Sequence, residues 1–328
     1  MRKYDNFDTA VFSIEGGIGH HFNMSVVFRK YKEKHPKRKI VVLGPWLYTL
    51  HRNKYIDPFD PGDYLVRESI AKKGRFISHN LSVYRDSFHI RLAKDIPGAI
   101  EVGFEPEDGP FHIKQILGIQ CGVRIEREDK LDYFPTSNEL RDAKDFKRNM
   151  CEGKLLGIVQ CEGTGFRLNS EDPMKNALSV LKQIPKETAN AVLEETANDI
   201  FWVQVRLPNE EDLNADYELV DIHQRPLFAL EAVADIGFGT DSFSQHLIAG
   251  AYGKPFIMVT GRSSASAYAH PTCITVENIE SCPYGISPCE SPQIGVDRVC
   301  DDLYCMNSIK PEQIIKEIKK AVKRIKEK

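Results

Sequence analysis

Gly239-Thr240-Asp241-Ser242-Phe243-Ser244-Gln245-His246-Leu247-Ile248-Ala249, followed by Gly253-Lys254-Pro255, decides how the rest of the chain is read. It opens at the end of the run Asp235-Ile236-Gly237-Phe238-Gly239 and closes on a second apolar run, Pro255-Phe256-Ile257-Met258-Val259. The second run suits a buried strand, and Asp241 or Ser242 supplies the N-cap of a helix ahead of it. Thr240, Asp241 and Ser242 therefore fall at a helix start, where unpaired backbone N–H groups and small hydroxyls suit a diphosphate. His246 lies on the first turns of that helix, within reach of the same ligand. A capping role alone explains Asp241 and Ser242 equally well.

Working outward, the N-terminal half repeats the plan of strand, glycine turn and helix. Thr9-Ala10-Val11-Phe12-Ser13-Ile14 reads as a buried strand and runs into Glu15-Gly16-Gly17-Ile18-Gly19-His20-His21. A helix follows from Phe22 to His35, with Phe22, Val26, Val27 and Tyr31 on one face and a basic last turn. Pro36 stops it, and Lys39 to Gly44 forms the next strand, completing a βαβ unit. Gly17 and Gly19 let a ligand approach the backbone, and a merely structural strand-to-helix turn explains them equally well. The spacing is not G-x-G-x-x-G, and no acid closes the strand at Leu43-Gly44-Pro45-Trp46, so NAD is not expected. His20, at the mouth of the turn, titrates near neutral pH and can take a proton from a hydroxyl; a helix-capping or simply exposed histidine is the structural alternative. His21 points about 100° away from it along the helix.

The chain has 328 residues, twice a common domain length of ~150, which argues for two α/β domains. Hydrophobic residues are 41% and charged residues 28%, excluding a disordered or collagen-like chain. Lys plus Arg number 44 against 47 Asp plus Glu, so no global field drives nucleic-acid or membrane binding. No apolar run approaches the ~20 residues that span a bilayer, and no secretory signal opens the chain. A cytoplasmic, reducing setting is expected, in which the eight cysteines form no disulfide framework. Four of them, Cys282-x6-Cys289-x10-Cys300-x4-Cys305, suit a closed tetrahedral structural metal site of Zn or Fe; reduced, unligated thiols and, last, disulfides are the alternatives.

The pattern of strand, Asp241-Ser242, three residues, His246-Leu247, helix, Gly253-Lys254-Pro255 and strand resembles the nucleotide-sugar site of heptosyltransferase-type glycosyltransferases. The glycine turn at 16–19, the Cys-bearing loop and the final segment from Ile309-Lys310-Pro311 resemble that family as well, whereas residues 46–125 show no specific likeness. The resemblance implies the GT-B architecture, two Rossmann-like domains facing a central cleft. An N-terminal acceptor domain is expected over 1–145, a nucleotide-sugar domain over 150–308, and a terminal helix over 309–328. It implies a nucleotide-diphosphate sugar as donor, bound by Asp241, Ser242 and His246 in the Gly239–His246 stretch. Arg167, with Lys175 behind it, is the candidate phosphate contact, and Glu210 the candidate for a ribose hydroxyl; solvated surface side chains are the alternative for the two cations. The family's usual Asp base is replaced here by His20, which puts the acceptor in doubt: a glycan, a protein or a modified nucleobase. The cysteine loop resembles that of the autotransporter heptosyltransferase subgroup, which implies a cysteine-held iron. The function so implied is inverting glycosyl transfer with His20 as general base, a homo-oligomer being possible. A catalytically silent GT-B binding or assembly subunit and a nucleotide-sugar epimerase are the other readings.

Overall fold

A computed structural model of the chain describes residues 6–14, 17–43, 46–57, 84–90, 111–162, 183–208, 210–220, 224–261, 264–282 and 304–327, by main chain alone at 6–8, 13, 84–90, 224 and 279. It divides into two compact units, Met1–Phe134 and Pro135–Lys328.

In the first unit, β1 (Asn6–Ile14) leads into α1 (Ile18–Lys34) and then β2 (Lys39–Leu43), which pairs parallel to β1. β3 (Tyr84–Ile90) pairs parallel on the other side of β1, giving the order β2-β1-β3. Ala10, Val11, Phe12 and Ile14 are consecutive or nearly so and all buried, as a central parallel strand requires. Phe12 packs edge-on against Phe28 at 5.2 Å and Tyr31 at 5.1 Å, locking α1 onto the sheet. Met24, Ser25 and Phe28 are buried along with the expected face of α1, so this helix is covered on more than one side. α2 (Ile113–Gln120) starts at a capping box in which the His112 side chain accepts from Lys114 N.

The second unit opens with α3 (Ser137–Met150), whose capping box pairs Thr136 with Glu139. Then follow β4 (Leu155–Gln160), α4 (Lys186–Thr196), β5 (Ile200–Arg206), β6 (Tyr217–Val220), α5 (Gln224–Val233) and β7 (Ile236–Thr240). After β7 come α6 (Phe243–Gln245), a π-helical turn at His246–Ala251, β8 (Phe256–Thr260), α7 (Ala265–Tyr268) and β9 (Cys273–Glu277). α8 (Tyr304–Asn307) and α9 (Pro311–Lys326) close the chain. Every strand pair is parallel and the order is β6-β5-β4-β7-β8-β9. That is the doubly wound arrangement in which the winding direction reverses between the first and fourth strands, here β4 and β7. Trp202, Phe238, Ile236 and Ile257 fill the core beside the sheet.

The division at Phe134/Pro135 falls short of the expected domain end at 145. The reason is α3, which belongs wholly to the second unit. Arg225 of α5 makes two 2.7 Å bonds to Glu139, and Lys147 reaches Asp235 Oδ1 at 2.6 Å. The terminal helix is likewise part of that unit, with Ile314, Ile318 and Val322 buried in its core. Residues 174–182, whose sequence reads as a helix, and the short apolar stretches at 64–66 and 99–102 lie outside the described residues.

Candidate functional site

Open α/β sheets of this kind bind ligands outside the carboxyl ends of the strands at the point where the winding reverses. In the second unit that point lies between β4 and β7, and the residues there are Gln160, at the end of β4, and Thr240, Asp241 and Ser242, at the end of β7. Gly239 has φ +159°, and a Cβ there would stand 2.0 Å from the Gln160 carbonyl oxygen, which explains the glycine. Ser242 is the N-cap of α6, with extended backbone, yet its side chain makes no cap hydrogen bond. Its Oγ is buried and has no partner among the described residues. A serine at a cap that does not cap has its hydroxyl available for something else. Asp241 and Thr240 are both buried beside it.

Two polar clusters back this turn. In one, Ser244 Oγ lies 2.8 Å from Gln160 Oε1 and 2.5 Å from Glu231 Oε1, and all three residues are wholly buried. Burial pushes the Glu231 carboxyl up to about 8. In the other, His246 Nδ1 stands 2.9 Å from His270 Nε2, with the rings edge to face. Gly250 makes room for this pair, since a Cβ there would sit 2.6 Å from His270 Nε2. The π-helical turn widens the helix at the same place, with Tyr252 N donating five residues back to Leu247 O. Gln245 donates to Tyr268 O at 2.8 Å and accepts from the Cys273 thiol at 3.2 Å. The lysine of Gly253-Lys254-Pro255 is structural: its Nζ donates to the carbonyls of Ala232, in the last turn of α5, and of Ala234, just beyond it.

In the first unit, Gly17 is the N-cap of α1 and is exposed, with nothing within 4 Å of an added Cβ. Its carbonyl accepts from the His20 N–H at 3.1 Å and from the His21 ring, whose Nδ1 lies 3.2 Å away. His21 is fully buried, and burial, opposed by that hydrogen bond, lowers its pKa to about 4. It is a neutral packing residue. His20 is half-buried on the first turn of α1, and the Gly19 carbonyl accepts from Asn23 Nδ2 at 2.8 Å.

Glu210 is buried, and its Oε2 accepts from Leu207 N at 2.8 Å, so the side chain holds its own turn. Arg167 and Lys175 lie outside the described residues, as do Cys289 and Cys300. Cys282 and Cys305 are half-buried at the two ends of the cysteine loop. Those ends are tied together by Ser281, which donates to Tyr304 O at 3.2 Å and accepts from Ser308 Oγ at 2.9 Å. Among the described residues the cysteines form no disulfide, and no group of three or more metal-binding side chains is present. No described helix is long and apolar enough to cross a membrane.

Gln160, Glu231 and His270 escaped the sequence reading. The first two carried a signal: each is a polar residue within an otherwise apolar run, Leu155–Gln160 and Leu227–Ala232. His270 carried none.

Two Rossmann-like α/β units define the chain as GT-B in fold. No family model matches the chain, and no curated protein sequence matches it. Solved structures do. A family 9 glycosyl transferase from Veillonella parvula superposes with a TM-score of 0.66 at 13% identity, over 97% of this chain and 98% of that one. The ADP-heptose lipopolysaccharide heptosyltransferase II of Escherichia coli gives 0.62 at 10% identity, over 97% and 99%. TibC, an iron-containing dodecameric glycosyltransferase of enterotoxigenic E. coli, gives 0.64 at 11%, over 98% and 78%. At these identities the likeness is one of fold.

Proposed function

We propose that this protein is an inverting glycosyltransferase that moves a sugar from a nucleotide-diphosphate donor of the ADP-heptose kind to an acceptor hydroxyl. The observation that carries the reading is the unpartnered Ser242 hydroxyl at the β4/β7 switch point, on the turn where a doubly wound sheet takes its ligand. The fold likeness supports the donor class, since TibC has been crystallised with ADP-D-β-D-heptose.

In this mechanism the Gly239–Ser242 turn and the start of α6 receive the diphosphate, with Arg167 or Lys175 supplying positive charge and His246 a further donor. Gly17 and Gly19 leave room for the acceptor beside His20. His20 takes the proton of the acceptor hydroxyl as its oxygen attacks the anomeric carbon. The carbon–oxygen bond to the diphosphate breaks on the opposite face, the anomeric configuration inverts, and the nucleoside diphosphate leaves. Hydrogen bonds already aimed at the leaving group lower the barrier without reorganisation. The acceptor class (glycan, protein or modified nucleobase) is set by the first unit.

Cys282, Cys289, Cys300 and Cys305 hold a structural Zn or Fe in the same reading, which the tied loop ends and the iron content of TibC support. A four-thiolate site contributes folding free energy and leaves no open position for substrate. Metal analysis of the purified protein checks it. TibC is dodecameric, and self-association of this chain is part of the proposal.

The test is ADP release from ADP-heptose in the presence of a panel of hydroxyl acceptors. Turnover is expected, and His20→Ala should lower it by about 10²–10⁴-fold with ADP still bound. ADP binding with no turnover on any acceptor marks a silent binding subunit instead.

A further inference from the structure

Ser244 Oγ carries one proton and has two oxygen neighbours within hydrogen-bond distance, Gln160 Oε1 and Glu231 Oε1. With the Gln160 amide oxygen turned toward Ser244, both bonds can form only if one neighbour brings a proton of its own. An amide oxygen has none, so the carboxyl of Glu231 supplies it. The chain then has one direction: Glu231 O–H donates to Ser244 Oγ, Ser244 O–H donates to Gln160 Oε1, and Gln160 is left presenting its Nε2–H groups. Gln160 Nε2 is buried and has no partner among the described residues. It ends β4 in register with Gly239, immediately beside the Thr240–Ser242 turn.

Among the described residues, the charged groups that face α5 from the elements packed against it are already paired. Of the elements packed on α5, α3 carries Glu139, bound to Arg225, and Lys147, bound to Asp235; the π-helical turn carries His246, bound to His270. Burial raises the Glu231 carboxyl, and the hydrogen bond with the Ser244 hydroxyl offsets part of that rise.

We propose that Glu231 is a positioning residue whose proton sets the direction of this hydrogen-bond chain, so that Gln160 offers an N–H donor to an oxygen of the nucleotide-sugar. The inference rests on the donor site argued above. When Glu231 loses its proton the chain reverses. Ser244 donates to the carboxylate, Gln160 turns its Nε2–H to Ser244 Oγ, and Gln160 Oε1 faces the ligand. An acceptor oxygen then opposes another oxygen, and donor binding weakens. Donor affinity is therefore tied to a side chain that never touches the donor.

The experiment is calorimetric titration of ADP into the full chain from about pH 6.5 to about pH 10. Wild-type affinity is expected to hold to about pH 8 and then to fall by about tenfold per pH unit. Glu231→Gln, whose side-chain N–H replaces the acid proton, should keep the neutral-pH affinity and show no such fall. Gln160→Leu should bind weakly at every pH. Parallel profiles in wild type and Glu231→Gln, or a flat wild-type profile, overturn this proposal alone. No ADP binding at any pH overturns the donor site and this proposal with it. Infrared spectra of the wild-type protein give a second readout that needs no variant. A protonated-carboxyl band that disappears as pH rises through about 8 is expected, and its absence at neutral pH contradicts the proposal.

Discussion

Gly239 is where one methyl group decides whether the site can exist. Its added Cβ would overlap the Gln160 carbonyl, a main-chain atom in the middle of the sheet that cannot swing aside. Gly239→Ala should lose about 3 kcal/mol in urea unfolding, the upper end of what overpacking costs. A loss of a few tenths would mean that β4 and β7 are further apart. The histidine pair beside it follows the same logic, because Gly250 leaves the space that the His270 ring fills. These packing demands explain which residues could be read in advance. The placement of Thr240, Ser242 and His20 follows from position relative to an apolar run. Which buried polar side chain meets which is a tertiary fact, and neither spacing nor periodicity encodes the meeting of Glu231 with Ser244 or of His270 with His246.

At the scale of elements, the bond between α3 and α5 is the clearest pH-sensitive joint. Two hydrogen bonds from Arg225 and the Thr136 cap hold the Glu139 carboxyl down to about 2. Between its ordinary value near 4.5 and about 2, the unfolded chain binds a proton that the folded chain does not. The stabilisation is therefore complete above about 4.5 and is lost as pH falls toward 2. On moving from about pH 6 to about pH 3, wild type should lose roughly 1–2 kcal/mol more than Glu139→Gln, after allowance for solvent screening of a partly exposed pair. Equal losses would remove the joint from the stability of the second unit. The same joint shows why the domain boundary is hard to place from sequence. The capping box at Thr136–Glu139 is visible in sequence, but α3 is polar along most of its length, and the contact that assigns it to the second unit comes from Arg225, far along the chain. β6, four residues long and incompletely buried, gave no run that could be recognised.

For the molecule as a whole, the alternation of strand, turn and helix made an α/β fold readable, and the strand order of the second unit goes further. Placing β4 beside β7 turns a sequence motif into a location, the carboxyl ends of two adjacent parallel strands where the winding changes direction. That order is not written in any one segment, because it depends on which strands pair across long separations. The proposal that a nucleotide sugar is the ligand stands on this placement together with the idle Ser242 hydroxyl. A crystal structure of the protein grown with ADP tests it most directly. The diphosphate is expected beyond the ends of β4 and β7, within hydrogen-bond distance of Ser242 Oγ. ADP ordered at any other place on the second unit, with Ser242 still unpartnered, would contradict it.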